Sequence, residues 1–238
     1  MDPDKEWNIY FLLFDDVEVL DFTGSFDVFS MANFGVPKEI SATLGQKFKL
    51  YTVCESGGMV TALHGLKIQT DFSFKTCNPD DIDVLIIPGA PTTVVLDFIE
   101  NNPSVIQWLA DRLGDVPLVA SVCVGALILA EAGGFDGGDH GPTLCTTHHD
   151  DFAELESILT RRSADARILP GARYTDNPAA SQPRVLSSAG VSAGIDMAFY
   201  MLAEILGDPM IAAKTARIME YNGTTNWTLP PLDGHGQD

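Results

Sequence analysis

Residues 117–137, PLVASVCVGALILAEAGGFDG, decide the fold, because a strand pattern passes into a helix pattern at one cysteine, Cys123. The six residues before Cys123 form an apolar run that is typical of a buried strand. The residues from Val124 onward have helical spacing, and a glycine pair at 133–134 marks the end of that helix. A side chain in such a tight strand-to-helix turn is pushed outward, which is the geometry of a nucleophile elbow.

The place of Cys123 also predicts an acidic thiol. The amides of Val124 and Gly125, with the dipole of the helix behind them, would stabilise a thiolate. Such surroundings lower a thiol pKa from about 8.5 toward roughly 3.5–7.5. Gly125 would let the helix start close to the strand without a Cβ clash. The alternative is a buried, unreactive cysteine, since free cysteine is among the most buried residue types.

Apolar strand patterns alternate with helix patterns along the whole chain. The strand patterns lie at 7–14, 48–54, 82–90, 117–122, 143–148 and 184–190. The helix patterns lie at 25–34, 104–114, 124–137, 149–162, 192–207 and 208–221, while 16–24 has the pattern of a polar turn and 58–71 that of a hairpin. This alternation predicts an α/β domain whose mostly parallel sheet is covered on both faces.

One edge of this sheet is expected to collect the functional residues, because ligands bind beyond the carboxyl ends of parallel strands. The residues at or just past the ends of strand patterns at this edge are Cys123, Gly89, His148 and Gly190. Asp21 lies seven residues past the first strand pattern and could fold back over the same rim. The convergence of five separate segments predicts a site there.

Asp21 is the candidate that would move protons for the thiol. Near a thiolate its carboxyl group would be pushed toward protonation, because two like charges close together are costly. It would then donate a hydrogen bond to sulfur, and the two groups would titrate as a coupled pair. The alternative is that Asp21 only caps a helix, and Asp27 is a second candidate near that helix start.

The histidines offer a second kind of partner. His148 or His149 could form a Cys–His couple with Cys123, or His148 could only cap the helix that starts nearby. No histidine follows Cys123 directly, and the five histidines do not have metal-ligand spacing. The sequence therefore predicts neither a metal nor a cofactor.

The remaining candidates are expected to be structural. Asp196 lies near a helix start, where it could tie two loops together. Cys54 and Cys145 are expected in the core because one ends a strand pattern and the other lies inside one. Cys77, in FKTCNPDD, is expected in a loop or at the surface.

Composition excludes several functions. The formal charge is −19, from 33 acidic and 14 basic residues, which argues against nucleic acid and anionic membranes as partners. The longest apolar run is too short to span a bilayer, and the acidic start MDPDKEWN does not resemble a signal peptide. We expect a cytoplasmic protein with a small-molecule substrate, built as one domain at 1–222 and an irregular tail at 223–238.

Five motifs together resemble the ThiJ/PfpI superfamily, which is class I glutamine amidotransferase-like. They are FLLFDDVEVLDFTGSFDVF, DVLIIPGA, SVCVGALILAEAG, CTTHH and AGVSAGIDMAFYMLAEILGD. The resemblance implies a flavodoxin-like three-layer sandwich with a cysteine nucleophile elbow. Within the superfamily, LDFTG, SVCVG and SAGID are most similar to the isocyanide hydratases, and they are also similar to the amidase-like domains fused to AraC-type regulators.

The resemblance also implies a reaction. Cys123 matches the nucleophile and Asp21 its acidic partner, and the thiolate would attack the terminal carbon of an isocyanide. Asp21 would supply the proton, and water would release an N-substituted formamide from the thioimidate. The implied pocket for the substrate and its developing charge uses the Gly89 and Val124 amides, with Ala90 and Gly190 beside them. The family generally forms homodimers whose sites lie near the interface.

Two positions depart from the hydratase pattern. Val124 stands where the hydratases have threonine, and Ala90 stands where the family has a second glycine after PG. The first departure removes a side-chain hydroxyl from the elbow. Two alternatives therefore accompany the hydratase interpretation: a glyoxalase, deglycase-like or small hydrolase activity, and a non-catalytic module that senses oxidants or binds a ligand.

Overall fold

The structure is a computed structural model that describes residues 5–35, 46–137, 141–177, 183–206 and 209–222. The predicted tail at 223–238, His140 and His235 lie outside these residues. The strands are β1 (Trp7–Leu12), β2 (Phe48–Cys54), β3 (Met59–Thr61), β4 (Lys67–Gln69), β5 (Phe72–Ser73), β6 (Val84–Ile87), β7 (Leu118–Val122), β8 (Thr143–Cys145), β9 (Ala166–Ile168), β10 (Tyr174–Asn177) and β11 (Arg184–Ser188).

A central sheet runs in the order β10-β11-β7-β6-β1-β2-β5. Its neighbouring strands are parallel, except that β10 is antiparallel to β11. Every residue of β6 and β7 is buried, as continuous apolar runs predict for strands that are covered on both faces. The predicted α/β class with a mostly parallel sheet is therefore confirmed, and so is the hairpin, formed by β3 and β4.

Two groups of helices cover the sheet. The helices are α1 (Val19–Gly35), α2 (Thr92–Asn101), α3 (Pro103–Arg112), α4 (Gly125–Glu131), α5 (Phe152–Arg162), α6 (Ala193–Tyr200) and α7 (Pro209–Ile218). Helix α1 packs on α6 and α7, and α4 packs on α2, α3 and α5, which gives three layers. Among the residues described, no helix has both the length and the apolar character needed to cross a membrane.

The predicted polar turn at 16–24 is wrong in its second half, because α1 already begins at Val19. Gly24 suggested a turn, but it is a packing position inside the helix. A Cβ atom there would lie 2.8 Å from Cγ1 of Ile195 on α6. Glycine therefore serves close helix contact here, and Asp21 is placed in the first turn of α1.

The predicted strand at 143–148 also needs correction. Its first half forms β8, which pairs with β9 in a separate two-stranded sheet rather than joining the central one. The edge beside β11 is occupied by the antiparallel strand β10, which the sequence did not reveal. Side chains attach β8 to that edge instead: the Thr146 amide donates to Ser187 Oγ at 2.8 Å, and the Leu144 amide to Asn177 Oδ1 at 2.7 Å.

Candidate active site

Cys123 occupies a strained turn between β7 and α4. Its φ angle is 59°, in the left-handed region that L-residues other than glycine seldom adopt. A Cβ atom at Gly125 would lie 2.3 Å from the carbonyl oxygen of Ile87 and 2.7 Å from that of Pro88. Glycine is thus what lets α4 begin against the end of β6, as the sequence predicted. The predicted elbow is present.

Hydrogen bonds fix this turn from both sides. The Cys123 amide lies 3.2 Å from the carbonyl oxygens of Ser188 and Ala189, to which it donates. Its own carbonyl accepts the Thr147 hydroxyl at 3.0 Å. The loop after β11 and the segment after β8 therefore both contact the elbow, so the turn is held by its tertiary neighbours.

Two backbone amides lie near the sulfur of Cys123 and lower its pKa, those of Val191 and Val124. Val191 has a φ angle of 44°, which is unusual for a β-branched residue. Strained residues of this kind persist only where the surrounding structure imposes them, and they cluster at functional sites. Val191 could not be recognised from the sequence, because a contact made by a backbone amide does not depend on the side chain.

The predicted acidic thiol is wrong. Burial, and after it the charge of the nearby Asp21 carboxylate, raise the pKa of the Cys123 thiol to about 12, although the two amides lower it. Cys123 is only 7% exposed, so a thiolate would lose its hydration. Helix α4 has just seven residues, and its amides do not offset that loss. In the resting protein the sulfur is a neutral thiol.

Asp21 is the carboxyl group beside this thiol. It is fully buried, and its Oδ2 accepts the Gly89 amide at 2.9 Å. Burial raises its pKa to about 7; the Gly89 hydrogen bond and the Cys123 thiol lower it, while the charge of Glu18 raises it. Asp21 Oδ1 has no hydrogen-bond partner among the described residues, and the Cys123 thiol is near enough to the carboxyl to lower its pKa. The capping alternative fails, because this carboxyl binds an amide of another loop.

Gly89 has a different role from the predicted one. Its amide was expected in an oxyanion-type pocket, but it donates to Asp21 because the buried carboxyl needs a donor. A Cβ atom at Gly89 would lie 2.9 Å from the amide nitrogens of Val124 and Gly125, so glycine lets the loop after β6 approach the elbow. Ala90 is buried next to it.

His148 lies at the same edge, against Gly190. A Cβ atom at Gly190 would lie 2.4 Å from Cδ2 and 3.3 Å from Nε2 of His148, so the ring packs directly on that glycine. On its other side, Nδ1 is 3.2 Å from Oδ2 of Asp151. Asp151 is buried, and its Oδ1 accepts the Thr92 hydroxyl at 2.5 Å.

His148 also belongs to a surface cluster of side chains of the types that bind metal ions. One donor atom each from His148, His149 and Asp150 lies within 4.8 Å of the others. The side chains of His149 and Asp150 are both 76% exposed, and exposed groups of this kind commonly bind no ion. We therefore assign no metal to them.

Asp196 has structural contacts. Its side chain is 3% exposed and forms an ion pair with Arg173, which lies just before β10. It also accepts the hydroxyl of Tyr221, which follows α7. Asp196 thus connects α6 to two other segments. Asp27, the second carboxyl considered near the start of α1, is exposed.

The sequence profile of the DJ-1/PfpI family matches residues 7–204, which include the elbow, Asp21 and His148. The chain belongs to the DJ-1/PfpI family. This agrees with the resemblance noted above and with the flavodoxin-like sandwich of the structure.

Three relatives illustrate where this DJ-1/PfpI protein lies within the family. Isonitrile hydratase of Pseudomonas putida is 26% identical over 233 residues, which cover 97% of this chain and 83% of that protein. The crystal structure of a ThiJ/PfpI family protein from Pseudomonas syringae has a TM-score of 0.73 and 26% identity, covering 98% of this chain and 81% of its own. Deglycase PfpI of Pyrococcus furiosus is 31% identical over 87 residues, covering 36% of this chain and 49% of that protein.

Four residues of this DJ-1/PfpI site were missed from the sequence: Val191, Thr147, Asp151 and Thr92. Asp151 lies in the predicted helix pattern at 149–162, where an acidic residue near the start of a helix is expected for the helix dipole alone. Thr92 follows the strand-end proline and glycine, and no helix was predicted there. Only the hydrogen bond between Thr92 and Asp151 in the folded protein shows that these two residues lie together.

Proposed function

We propose that this protein is a cysteine-dependent enzyme that acts on small electrophiles, with isocyanides as its substrates. The observation that carries the proposal is a strained elbow thiol, Cys123, beside a buried carboxyl, Asp21, whose pKa is about 7. A carboxyl with that pKa can both accept and return a proton near neutral pH. Similarity to isonitrile hydratase over 97% of the chain supports the choice of substrate.

The first half-reaction uses the proton that Cys123 and Asp21 share. The thiol is the weaker acid, so the nucleophile forms only when substrate is present. As sulfur bonds to the isocyanide carbon, ionised Asp21 takes the thiol proton and then delivers it to that carbon. The product is a thioformimidate, R–N=CH–S–Cys123, in which S–H has added across one carbon atom. The amides of Val124 and Val191 stabilise the negative charge that develops on sulfur.

The second half-reaction consumes water. Its oxygen bonds to the thioformimidate carbon, one water proton goes to nitrogen, and the carbon–sulfur bond then breaks. The N-substituted formamide leaves, and the thiol of Cys123 is restored with the other proton. The sum is one isocyanide and one water converted to one formamide, with no redox change and no cofactor.

A homodimer is part of the proposal. Leu20 is 39% exposed at the start of α1, next to Asp21, and Leu66 is 48% exposed on the hairpin. The hairpin contacts the same region, since the Leu63 amide donates to the Val17 carbonyl at 3.0 Å. A second copy covering these leucines would bring an interface to the rim of the site. Leu20→Glu with Leu66→Glu should give a monomer by sedimentation, whereas Leu96→Glu on α2 should not.

The test is turnover of an aryl isocyanide, followed as formamide by chromatography. The thiol of Cys123 is first titrated to show that it is reduced. Wild type should form formamide, and Cys123→Ala should form none. Absence of turnover by wild type with a reduced Cys123 would remove this activity.

A second candidate is a glyoxalase-like or deglycase-like reaction. It is favoured by the 31% identity to Deglycase PfpI, although that match covers only 36% of this chain. Consumption of methylglyoxal that depends on Cys123, without formamide production, would select it. The oxidant-sensing alternative has less support, because peroxide reacts with thiolates and the pKa of Cys123 is raised.

A further inference from the structure

Asp151 is a buried carboxylate near the elbow that the first half-reaction does not use. It is 5% exposed, and its two oxygens have separate partners. Oδ1 accepts the Thr92 hydroxyl at 2.5 Å, and Oδ2 lies 3.2 Å from His148 Nδ1. Its negative charge also reaches the elbow, where it contributes to the raised pKa of Cys123.

The Asp151 contact determines which nitrogen of His148 carries the proton. If Nδ1 had no proton, its lone pair would face a carboxylate oxygen at 3.2 Å, which is repulsive. The Asp150 amide points at the same nitrogen at 3.4 Å and would need it as an acceptor, but the contact with the carboxylate oxygen of Asp151 is shorter and decides the position of the proton. The proton therefore belongs on Nδ1, and Nε2 of a neutral ring is left as an acceptor.

The His148 ring packs against the loop that follows β11, which also contacts the nucleophile. Its Cδ2 and Nε2 atoms pack against Gly190, where even a methyl group would overlap the ring. The amide of the next residue, Val191, lies near the sulfur of Cys123 and lowers its pKa. His148 follows Thr147, whose hydroxyl donates to the Cys123 carbonyl at 3.0 Å. Two independent connections thus hold the ring beside the elbow.

We propose that Asp151, fixed by Thr92, is a positioning residue that orients His148 to activate the water of the second half-reaction. The proposal rests on the proposed hydratase function and assigns each half-reaction to its own carboxyl. Asp21 moves the thiol proton, and Asp151 acts only through the histidine.

Hydrolysis of the thioformimidate then moves two protons. His148 Nε2 takes a proton from water while the water oxygen bonds to the thioformimidate carbon. The imidate nitrogen receives that proton from His148, and the adduct becomes R–NH–CH(OH)–S–Cys123. The remaining hydroxyl proton passes to sulfur as the carbon–sulfur bond breaks. His148 ends with its original proton on Nδ1, and Asp151 exchanges no proton in this step.

The kinetic test separates the two half-reactions in Asp151→Asn. Rapid mixing with an aryl isocyanide, followed by intact-mass measurement, records the thioformimidate on Cys123. Asp151→Asn should form this adduct within about threefold of the wild-type rate and hydrolyse it about 100-fold more slowly, so that the adduct accumulates. Glu156→Gln, which neutralises an exposed acid on α5, is the matched control and should behave as wild type.

Further variants test the chain of contacts. His148→Ala should accumulate the same adduct, and added imidazole should restore part of its hydrolysis. Thr92→Val should slow hydrolysis about tenfold, whereas Thr92→Ser should keep it near wild type because the hydroxyl remains. Equal slowing of both half-reactions in Asp151→Asn, or slowing of neither, would overturn the proposal.

A spectroscopic measurement does not depend on turnover. Nitrogen-15 NMR of the His148 ring at alkaline pH should show the proton on Nδ1 in wild type and on Nε2 in Asp151→Asn, whose amide can donate to Nδ1. An unchanged tautomer would overturn the positioning role. If wild type forms no adduct at all, the hydratase function fails, and the tautomer still decides whether Asp151 orients His148.

Discussion

Two cysteines lie at the same edge of the central sheet, Cys54 as the last residue of β2 and Cys123 directly after β7, and their thiols differ in acidity. They are almost equally buried, at 5% and 7% exposure. Burial raises the pKa of Cys54, but hydrogen bonds from Thr70, Ser56 and the amides of Gly58 and Gly57 outweigh it, so that its pKa is lowered. The pKa of Cys123 is raised to about 12.

The difference between Cys54 and Cys123 shows that the acidity of a thiol and the placing of a proton-accepting group beside it are separate properties. Thr70 Oγ1 and the Gly57 amide lie 3.3 Å and 3.2 Å from the sulfur of Cys54, which makes its thiolate easy to form. That sulfur lies at the end of a regular strand and lines a surface cavity of about 350 Å³. Cys123 has fewer donors, but it lies in a strained turn beside a buried carboxyl, Asp21, whose pKa is about 7.

The largest expected effect is on catalysis, where replacing Cys123 and replacing Cys54 should have very different consequences. Cys123→Ser should lower kcat/KM for an aryl isocyanide by about 1000-fold or more, because the nucleophile is replaced by a much weaker acid. Cys54→Ser should stay within about twofold. A comparable loss in Cys54→Ser would break the comparison, since it would make the acidic thiol part of the reaction.

Asp21→Asn should lower kcat/KM about 100-fold at pH 8, because the thiol loses its proton acceptor. In wild type, kcat/KM should rise with pH until the carboxyl is ionised, at an apparent pKa of about 7. Below that pH the protonated Asp21 cannot accept the thiol proton. Asp27→Asn, an exposed carboxyl on the same helix, should keep the wild-type profile. If kcat/KM of Asp21→Asn still rises with pH around 7, the increase belongs to the ionisation of another group.

The next effect concerns stability. The pKa of Asp21 is raised from its ordinary 3.8 to about 7, so the folded protein binds this proton more tightly than the unfolded chain. The resulting stabilisation is present below about pH 4 and is lost as pH rises to 7. Asp21→Asn should therefore be more stable than wild type at pH 8 by about 2–4 kcal/mol, and nearly equal to it at pH 4.

Urea unfolding at several pH values measures this difference. Asp27→Asn should show no such crossover, because that carboxyl is exposed in the folded state. If Asp21→Asn lowers the free energy of unfolding equally at pH 4 and pH 8, the ionised carboxylate does not destabilise the folded protein.

The smallest expected effect concerns the acidity of the Cys54 thiol. Thr70→Val removes a hydroxyl at 3.3 Å from the sulfur and should slow alkylation of Cys54 by iodoacetamide several-fold at pH 7.5. Alkylation of Cys123 in the same sample, measured by peptide mass spectrometry, should not change. Equal rates for Cys54 in both proteins would show that other donors set its acidity.

The sequence predicted most of the central strands, because apolar runs such as Val84–Ile87 and Leu118–Val122 are buried on both faces. It did not predict where α1 begins or that β8 lies outside the sheet. Gly24 has the same identity whether it forms a turn or packs against Ile195, and only the tertiary contact distinguishes them. Cys77, expected in a loop or at the surface, does lie in the loop between β5 and β6, but it is buried there at 5% exposure.

The candidate site shows the same division. The prediction from chain order that Cys123 and Asp21 lie together agrees with their contact in the structure. The direction of the Cys123 pKa could not be predicted, since burial depends on everything packed around the sulfur. The Val191 amide and the Asp151 carboxylate were missed because their roles depend on backbone strain and on contacts between distant segments.

Gly125 bears on how mutational scans of this protein are interpreted. Any side chain there would bring a carbon to 2.3 Å from the Ile87 carbonyl, so a scan should find the position intolerant of every alternative. Its scores would look like those of the nucleophile, although its contribution is to let two stretches of backbone meet. Intolerance alone therefore does not identify the chemistry, and a scan needs a readout of folded protein beside its readout of activity.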